Sequence, residues 1–571
     1  MVSLRSLLAL LLLAPVVSLQ PAPATLDPEA AATVTQLLGG ARHPALKWPV
    51  IDDVSKDLWA VYEGEADRLV WFDGTSPLPT TAGAVATLAD AARFGLDPED
   101  YDATRLQAQW SELQARRGSA VARAQFDLAL SVGVTRLTRA VHIGRVEPAL
   151  LGWKYEGPHT PHDGVAALLD ARAKGLVEVL RDLEPRTPVY TRTRATLATY
   201  RSLAAMGEPP RLPALPAGVP RLMPGMAWSG LSALAARLAA TGDLAAMPAT
   251  GKDPRYVGPL VDAVRRFQGR HGLDADGRLG PATLAAINVP LAERVRQLER
   301  SLERQRWLPD LADEPHILVN IASFRLTATD PRASDAPLRM NVVVGGALDH
   351  QTPLFLEQLE YIEFRPYWNP PRSIVVDEIL PKARADATFL ARNAYEIVAS
   401  RAASAAAFEP TPETLDKVAQ GRLFIRQRPG PGNSLGLAKF MFPNDDAIYM
   451  HGTPTRRTFT RARRDASHGC IRLEHPELLA AWLLRGDEAW TRARIDAAMK
   501  ADATSRVTLD EPMSVILFYD LAEVSDTGVT SFLPDVYGHD ATLAEALAKG
   551  YPFPASVSVP VAAEPATSGK P

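Results

Sequence analysis

The one cysteine of the 571-residue chain, Cys470, stands in the segment Ser467–Arg472, which reads Ser-His-Gly-Cys-Ile-Arg. A thiol acts as a nucleophile in its thiolate form, which near neutral pH needs a base or a positive charge beside it. His451 lies 19 residues upstream, enough chain for one loop and a returning segment to bring the two side chains together. The spacing therefore indicates nucleophilic acyl transfer, with His451 removing the thiol proton.

The residues around the cysteine fit the same chemistry. Gly469 lets the backbone approach closely, so the amides of Gly469 and Cys470 could receive an oxyanion. Taken singly, His451 and His468 could be ordinary half-buried histidines, and the cysteine could be inert. Two histidines shortly before the only cysteine favour the chemical interpretation. Arg472 either pairs at the surface, orders the loop or meets a substrate carboxylate.

Five arginines between Arg456 and Arg464, counting both ends, flank this region. Such a run is usually a solvated face, but here it could bind an acidic peptide. The sequence leaves both interpretations open.

Composition excludes several other classes of protein. An apolar fraction of 46% and a charged fraction of 22% are typical of a globular protein, and 571 residues predict two to four domains. The net charge of −4 gives no reason to expect nucleic-acid binding. With no second cysteine and no close histidine pair, the sequence predicts no metal site.

Residues 1–24 read as a secretory signal, because Arg5 precedes the apolar run Leu7–Val17 and small residues follow. The run is too short for a spanning helix, although an uncleaved short anchor is an alternative. We therefore expect an exported protein. An unpaired thiol is a liability in an oxidising compartment unless its reactivity is used.

The next two predicted domains are helical. Residues 25–215 form a helical scaffold domain, in which one amphipathic helix carries apolar side chains at steps of three and four. These are Phe126, Leu130, Val134, Leu137 and Val141. After the proline-rich stretch 209–216, residues 222–290 contain three short helices. The turn 274–280 lacks the later ligands of a calcium loop. Motifs such as Val264–Gln268 and Gly280–Leu284 resemble the three-helix peptidoglycan-binding module.

The remainder is predicted as a linker helix, 291–312, followed by a mostly-β domain, 313–554. Alternation begins near His316, and a helical cap is expected at about 376–420. The tail 555–571 is predicted to be disordered. The fold class is thus multidomain α+β.

The catalytic motif resembles a known family. His451-Gly452, followed about 15 residues later by Ser-His-Gly-Cys-Ile-Arg, is similar to the signature of the L,D-transpeptidases, whose catalytic domain is called YkuD-like. Further segments resemble the large periplasmic members of the YcbB type. These are Trp71, Gly95–Tyr101, Gln351–Pro353, Arg365–Pro371 and Pro429–Gly436. The loop Gly345–His350 departs from the pattern, because a basic residue is expected before Gln351.

The resemblance implies roles for individual residues. Cys470 would be the nucleophile, His451 the general base and acid, and the Gly452 carbonyl would orient the imidazole. His468 and Arg472 would shape the loop. The expected substrate-binding residues are Tyr449, Trp368 and Ser467.

The resemblance also implies the reaction. Cys470 would form a thioester with a peptidoglycan stem tetrapeptide, and a diaminopimelate amine of a second stem would resolve it into a 3→3 cross-link. If water resolves the thioester, the protein is an L,D-carboxypeptidase; a non-catalytic wall-binding scaffold is the third possibility. No cofactor is required. Peptidoglycan, other cell-wall synthases and carbapenem inhibitors are the expected partners, and the periplasm is the expected location.

Overall fold

The computed structural model describes residues 27–64, 68–116, 118–155, 161–245, 255–348 and 350–551. The predicted signal, 1–24, and the predicted tail, 555–571, lie outside these residues. The chain divides into two compact units. The first comprises the chain up to Ala89 together with Tyr101–Arg136 and Gly164–Val179, and the second comprises Asp90–Asp100, Leu137–Asp163 and the chain from Leu180 onward.

The N-terminal region is helical, as predicted. Its helices are α1 (Pro28–Gly39), α2 (Asp52–Gly64), α3 (Thr81–Ala89), α4 (Ala103–Arg116), α5 (Ala120–Ile143), α6 (Gly164–Lys174), α7 (Leu176–Leu183) and α8 (Pro188–Ala205). A two-stranded hairpin joins β1 (Phe72–Asp73) to β2 (Ser76–Pro77). The five predicted apolar residues of α5 are buried.

A buried carboxyl organises the first unit. Asp127 accepts hydrogen bonds from the backbone N–H of Val70 at 3.0 Å and of Trp71 at 2.7 Å, and from the Tyr62 hydroxyl at 2.5 Å. Burial raises the pKa of Asp127 to about 6, against the opposing effect of these donors. The carboxyl thus fixes the segment that carries Trp71 onto α5.

Three helices follow, as predicted for the wall-binding module: α9 (Leu231–Ala240), α10 (Pro259–Arg270) and α11 (Pro281–Ile287). Between α10 and α11 the chain turns at Gly277, whose φ of +72° suits glycine. The buried side chain of Gln268 holds this turn, because its amide accepts from Gly277 N–H at 2.8 Å and donates to the Arg278 carbonyl at 2.8 Å. The turn is therefore closed by protein groups.

Helix α12 (Leu291–Arg306) connects this module to the β-rich domain and ends before the predicted 312. It is rich in charge, yet several of its charged residues are buried. Arg304 and Arg300 pair with Asp540 at 2.8 and 2.7 Å, and Gln305 donates to Asp520 at 2.9 Å. These pairs fasten the linker helix to the β-rich domain.

The β-rich domain is built on a nine-stranded sheet. Its strands are β3 (His316–Asn320), β4 (Arg325–Thr329), β5 (Leu338–Gly345), β6 (Leu356–Phe364), β10 (Ala438–Met441), β11 (Met450–His451), β12 (Asp465–Ser467), β13 (Ile471–Leu473) and β14 (Ser505–Phe518). The spatial order is β12-β5-β13-β11-β10-β6-β14-β3-β4, and β4 also pairs with β5, so the sheet closes on itself. Helices α17 (Pro476–Leu483), α18 (Arg492–Lys500) and α19 (His539–Ala548) and the hairpin β15 (Ala522–Val524) and β16 (Thr530–Phe532) complete it.

The cap is an insertion between β6 and β10. It contains α13 (Arg372–Ile374), a π-helical turn (Val375–Ile379), α14 (Leu380–Ala385), α15 (Phe389–Arg392) and α16 (Pro412–Ala419). It also contains a three-stranded antiparallel sheet that the sequence did not predict. The strands are β7 (Tyr395–Val398), β8 (Ala407–Phe408) and β9 (Phe424–Gln427). The insertion has its own apolar core, to which Ile397 and Ile425 of the small sheet contribute.

Candidate active site

Two short parallel strands place the candidate catalytic residues. β11 pairs with β13 so that Met450 lies opposite Ile471 and His451 opposite Arg472. Met450 and Ile471 are fully buried in the core of the sheet. Because side chains alternate along a strand, His451 and Arg472 point to the other face. The ladder continues to the Cys470 end, where Ile471 N–H donates to the Tyr449 carbonyl at 3.1 Å.

The Cys470 thiol is partly buried at the start of β13. Its Sγ lies 3.8 Å from the carbonyl oxygen of Ala447, to which the thiol donates. Ala447 adopts a φ of +53°, so a left-handed residue aims this carbonyl at the sulfur. Burial raises the pKa of the thiol, while hydrogen bonds from Tyr449 and the charges of Lys439 and Arg472 oppose the increase. Among the described residues no hydrogen bond joins the thiol to His451, which was expected beside it from the sequence.

His451 is buried beside two carbonyl groups. Its Nδ1 lies 2.5 Å from the oxygen of Gly452, and the carbonyl of Leu435 also contacts the ring. A carbonyl only accepts, so Nδ1 carries the proton and Nε2 keeps its lone pair. Burial, and next the charge of Arg472, lower the pKa of His451 to about 3. The geometry thus gives a neutral imidazole with one nitrogen able to accept a proton, and it places the Gly452 carbonyl against the other nitrogen.

The nucleophile loop is tied together by Ser467. Its hydroxyl donates to the Cys470 carbonyl at 2.6 Å and accepts from the Gly469 N–H at 3.2 Å. Gly469 itself has a φ of +111°, which favours glycine. Its amide is engaged within the loop and is not available to an oxyanion in this conformation. In the described chain no acceptor is found for the N–H of Cys470, which is therefore the donor that this geometry offers.

Thr352 anchors the loop from outside and was not among the site residues predicted from the sequence. Its hydroxyl donates to the Gly469 carbonyl at 2.7 Å and accepts from the Gly345 N–H at 2.9 Å. Gly345 has no room for a side chain, because a Cβ there would lie 1.9 Å from the His350 carbonyl oxygen. The signal for Thr352 was its place in the segment Gln351–Pro353, which contributes to the family resemblance.

Tyr449 lies at the thiol, with Trp368 beside it. The Tyr449 hydroxyl interacts with both the Cys470 sulfur and the Trp368 side chain. Burial, together with the charge of the Cys470 thiolate, raises the pKa of Tyr449 far above its ordinary value. Trp368 is held by a pair of backbone hydrogen bonds to Gln427, at 3.1 and 2.7 Å, which join the active-site wall to the cap.

His468 lies apart from this group. Its Nε2 is 3.0 Å from the Glu378 carboxylate of the π-helical turn, and its ring centroid is 4.8 Å from that of His350. Arg472 stays with the thiol and the imidazole, and its charge acts on both. The structure therefore brings together Cys470, His451, Gly452, Tyr449, Trp368 and Arg472, while His468 contacts the cap.

Three of the five arginines between Arg456 and Arg464 make contacts within the fold. Arg464 is buried and donates to backbone carbonyls, including that of Val342 at 3.2 Å. Arg463 pairs with Asp465 at 2.7 Å, and Arg456 donates to the Glu474 carbonyl at 2.9 Å. The two other arginines, Arg457 and Arg461, are exposed.

Two kinds of feature are absent from the described residues. No cluster of three or more histidine, cysteine, aspartate or glutamate side chains there could hold a metal ion. Among the helices of the described chain, none combines the length and the apolar character needed to cross a membrane.

Three family models match the chain. Residues 314–495 match the YkuD model, described as an L,D-transpeptidase catalytic domain, and residues 56–197 match a scaffold domain. Residues 229–287 match a model described as "Putative peptidoglycan binding domain". The chain therefore contains a YkuD L,D-transpeptidase catalytic domain together with a peptidoglycan-binding domain. The predicted fold class and the family resemblance are confirmed.

A relative supports the same class of enzyme. A Haemophilus influenzae protein described as "Putative L,D-transpeptidase" is 31% identical over 245 residues. The match covers 43% of this chain and 48% of the relative, so the chain spans about half of that protein's length.

Proposed function

We propose that this protein cross-links peptidoglycan stem peptides through a thioester on Cys470, forming 3→3 bonds. The observation that carries the proposal is the pairing of β11 with β13, which places a neutral imidazole oriented by the Gly452 carbonyl one strand away from the segment that begins directly after the chain's one thiol. The YkuD domain supplies the reaction class, and the peptidoglycan-binding domain supports the choice of polymer.

In the first half-reaction, Cys470 Sγ attacks the carbonyl of the third residue of a stem tetrapeptide. The thiol proton passes to Nε2 of His451, which keeps its lone pair because Nδ1 donates to Gly452. The negative charge that develops on the carbonyl oxygen is met by the N–H of Cys470. When the C–N bond breaks, the terminal D-Ala leaves with the proton from His451, and a thioester remains.

In the second half-reaction, the side-chain amine of a diaminopimelate on another stem attacks the thioester carbonyl. His451 takes a proton from this amine and returns it to the departing sulfur, which restores the thiol. The products are a 3→3 cross-link and free enzyme. If water attacks instead, the same site acts as an L,D-carboxypeptidase.

The resting site is uncharged at the reacting atoms, since burial raises the pKa of the thiol and lowers that of the imidazole. Proton transfer then accompanies attack on the substrate. The negative charge that passes through the sulfur is favoured by the nearby Arg472 guanidinium.

We also propose where the protein acts and which inhibitors it binds. The protein is exported to the periplasm, where stem peptides and other cell-wall synthases are found. Carbapenems acylate Cys470, because a strained lactam suits an activated thiol. Intact-mass measurement tests this: an adduct that persists in Cys470→Ala contradicts it.

Incubation of purified protein with disaccharide tetrapeptide, followed by mass analysis, tests the cross-linking. We expect cross-linked dimer from the wild-type protein and none from Cys470→Ala, whereas Ser404→Ala, at an exposed position in the cap, serves as control. Monomeric tripeptide without dimer would identify the carboxypeptidase. Unaltered substrate from both wild type and Cys470→Ala would leave only the wall-binding scaffold, and unchanged dimer from Cys470→Ala would contradict the role of Cys470.

A further inference from the structure

A half-buried lysine faces the candidate active site and has no role in the mechanism above. Lys439, on β10, lies directly opposite His451 of β11, so both side chains project from the same face of the sheet. Its ammonium lies 4.1 Å from the centroid of the Tyr449 ring. Tyr449 in turn contacts the Cys470 sulfur.

We propose that Lys439 is a further residue of the active site, whose ammonium stabilises negative charge on the Cys470 sulfur and so sets the reactivity of the thiol. The inference rests on the proposed role of Cys470 as nucleophile. It deepens that role by adding a cation that the catalytic motif does not contain.

The charges around Lys439 support the assignment. In the described part of the chain, no carboxylate lies within ion-pairing distance of its ammonium. Glu363, directly opposite on β6, is the nearest negative partner along the sheet and attracts it from a longer distance. Burial lowers the pKa of Lys439, and negative charge on Glu363 and on Cys470 acts in the opposite direction. A cation placed in a partly desolvated site without a close counter-ion is stabilised when the thiolate forms.

The pKa of the Cys470 thiol also responds to the charge of Lys439. Burial raises the pKa of the thiol, and Lys439 and Arg472 are the two cations that oppose this increase. Arg472 stands on β13, two residues after Cys470, and Lys439 stands on β10, on the other side of β11. The two positive charges therefore act on the nucleophile from different strands.

Other titratable groups surround the site. His451 lies on β11, Tyr449 directly precedes that strand, and His468 of the nucleophile loop lies apart from the thiol. His468 is paired with Glu378 of the cap. The charge of Lys439 also contributes to the lowered pKa of His451, so the charge-preserving Lys439→Arg is the comparison that separates loss of the charge from other effects of the substitution.

The experiment is the pH dependence of Cys470 alkylation by iodoacetamide in the full-length protein, which has one cysteine and needs no turnover. For Lys439→Met, we expect the titration midpoint to rise by about one pH unit and the rate at pH 7.5 to fall about tenfold. Lys439→Arg, which keeps the charge, should stay within about twofold of wild type. The exposed Lys500→Met is the matched control and should match wild type.

A second variant guards against loss of folding. In Glu363→Gln the charge of Lys439 is no longer shared with a carboxylate, so alkylation at pH 7.5 should become about two- to threefold faster. If folded Lys439→Met shows the wild-type pH dependence of Cys470 alkylation, the inference is overturned. The same holds if the only change in this variant is a raised KM for stem peptide. Because alkylation does not require cross-linking, an inactive transpeptidase with the expected titration shift would overturn the proposed function and keep this inference.

Discussion

The Glu378 carboxylate lies 3.0 Å from Nε2 of His468, which joins the π-helical turn of the cap to the nucleophile loop. Both side chains are about 44% exposed. Ion pairs at such positions contribute about 0–1 kcal/mol. The contact therefore holds the cap weakly and can break without disturbing either segment.

The first prediction concerns this contact. In Glu378→Gln the carboxylate that contacts His468 is replaced by an amide, so the cap should open more often and Cys470 alkylation should become up to about fivefold faster. Alkylation rate and hydrogen exchange across residues 372–427 measure the change. The exposed cap residue Glu409→Gln is the control. Equal rates for the two variants would show that the ion pair does not restrain the cap.

The second prediction concerns stability at acid pH. His451 has a lowered pKa of about 3 when folded, so the unfolded chain binds its proton first as the pH falls below about 6.5. Its contribution to stability is complete above pH 6.5 and declines by up to ~1.4 kcal/mol per pH unit as the pH falls towards 3. Melting curves at pH 7 and pH 5 should therefore differ less for His451→Gln than for wild type. The more exposed His475→Gln should keep the wild-type difference, and an identical difference in all three proteins would refute the assignment.

The third prediction concerns Gly436, which packs against the residue that orients His451. A Cβ on Gly436 would lie 2.6 Å from backbone atoms of Gly452 and Thr453, and its φ of +65° disfavours other residues. Gly436→Ala should reduce the free energy of unfolding of the β-rich domain by about 2–4 kcal/mol. Denaturant unfolding measures this. Gly430→Ala, with open space around the new methyl group, should change little.

The fourth prediction concerns Thr352. Without its hydroxyl, the Gly469 carbonyl and the Gly345 N–H lose their partner, which costs about 1–3 kcal/mol and loosens the nucleophile loop. Thr352→Val should therefore unfold at lower urea concentration and form cross-linked product more slowly. Thr352→Ser keeps the hydroxyl and should recover most of both properties. If valine is as active as serine at this position, the hydroxyl does not order the loop.

The fold class could be predicted from the sequence because the signals behind it are local. The face of α5 from Phe126 to Val141 repeats at helical spacing, and the alternation near His316 marks β3. The pairing of His451 with the cysteine segment could be predicted from the His-Gly and Ser-His-Gly-Cys-Ile-Arg motifs and from the 19 residues that separate His451 from Cys470. The cap sheet was not predicted because β7, β8 and β9 are short and lie among helices. No alternation of apolar and polar residues there is long enough to indicate a strand.

The remaining site residues depend on contacts between distant parts of the chain. Lys439 lies in a four-residue strand, and only its register with His451 shows that it faces the site. Glu378 and Thr352 contact the nucleophile loop from about 90 and 117 residues away. The role of the Gly469 amide could not be predicted either, because it depends on where the Ser467 hydroxyl points.

The hydrogen bond from Cys470 to Ala447 has a consequence for the durability of the protein. Peroxides attack thiolates, and the product, a sulfenic acid, can be oxidised further and irreversibly. A thiol whose pKa is raised by burial, and which donates its proton to a carbonyl at 3.8 Å, presents little thiolate between turnovers. The chain's one cysteine is thereby protected against oxidative damage until a substrate arrives.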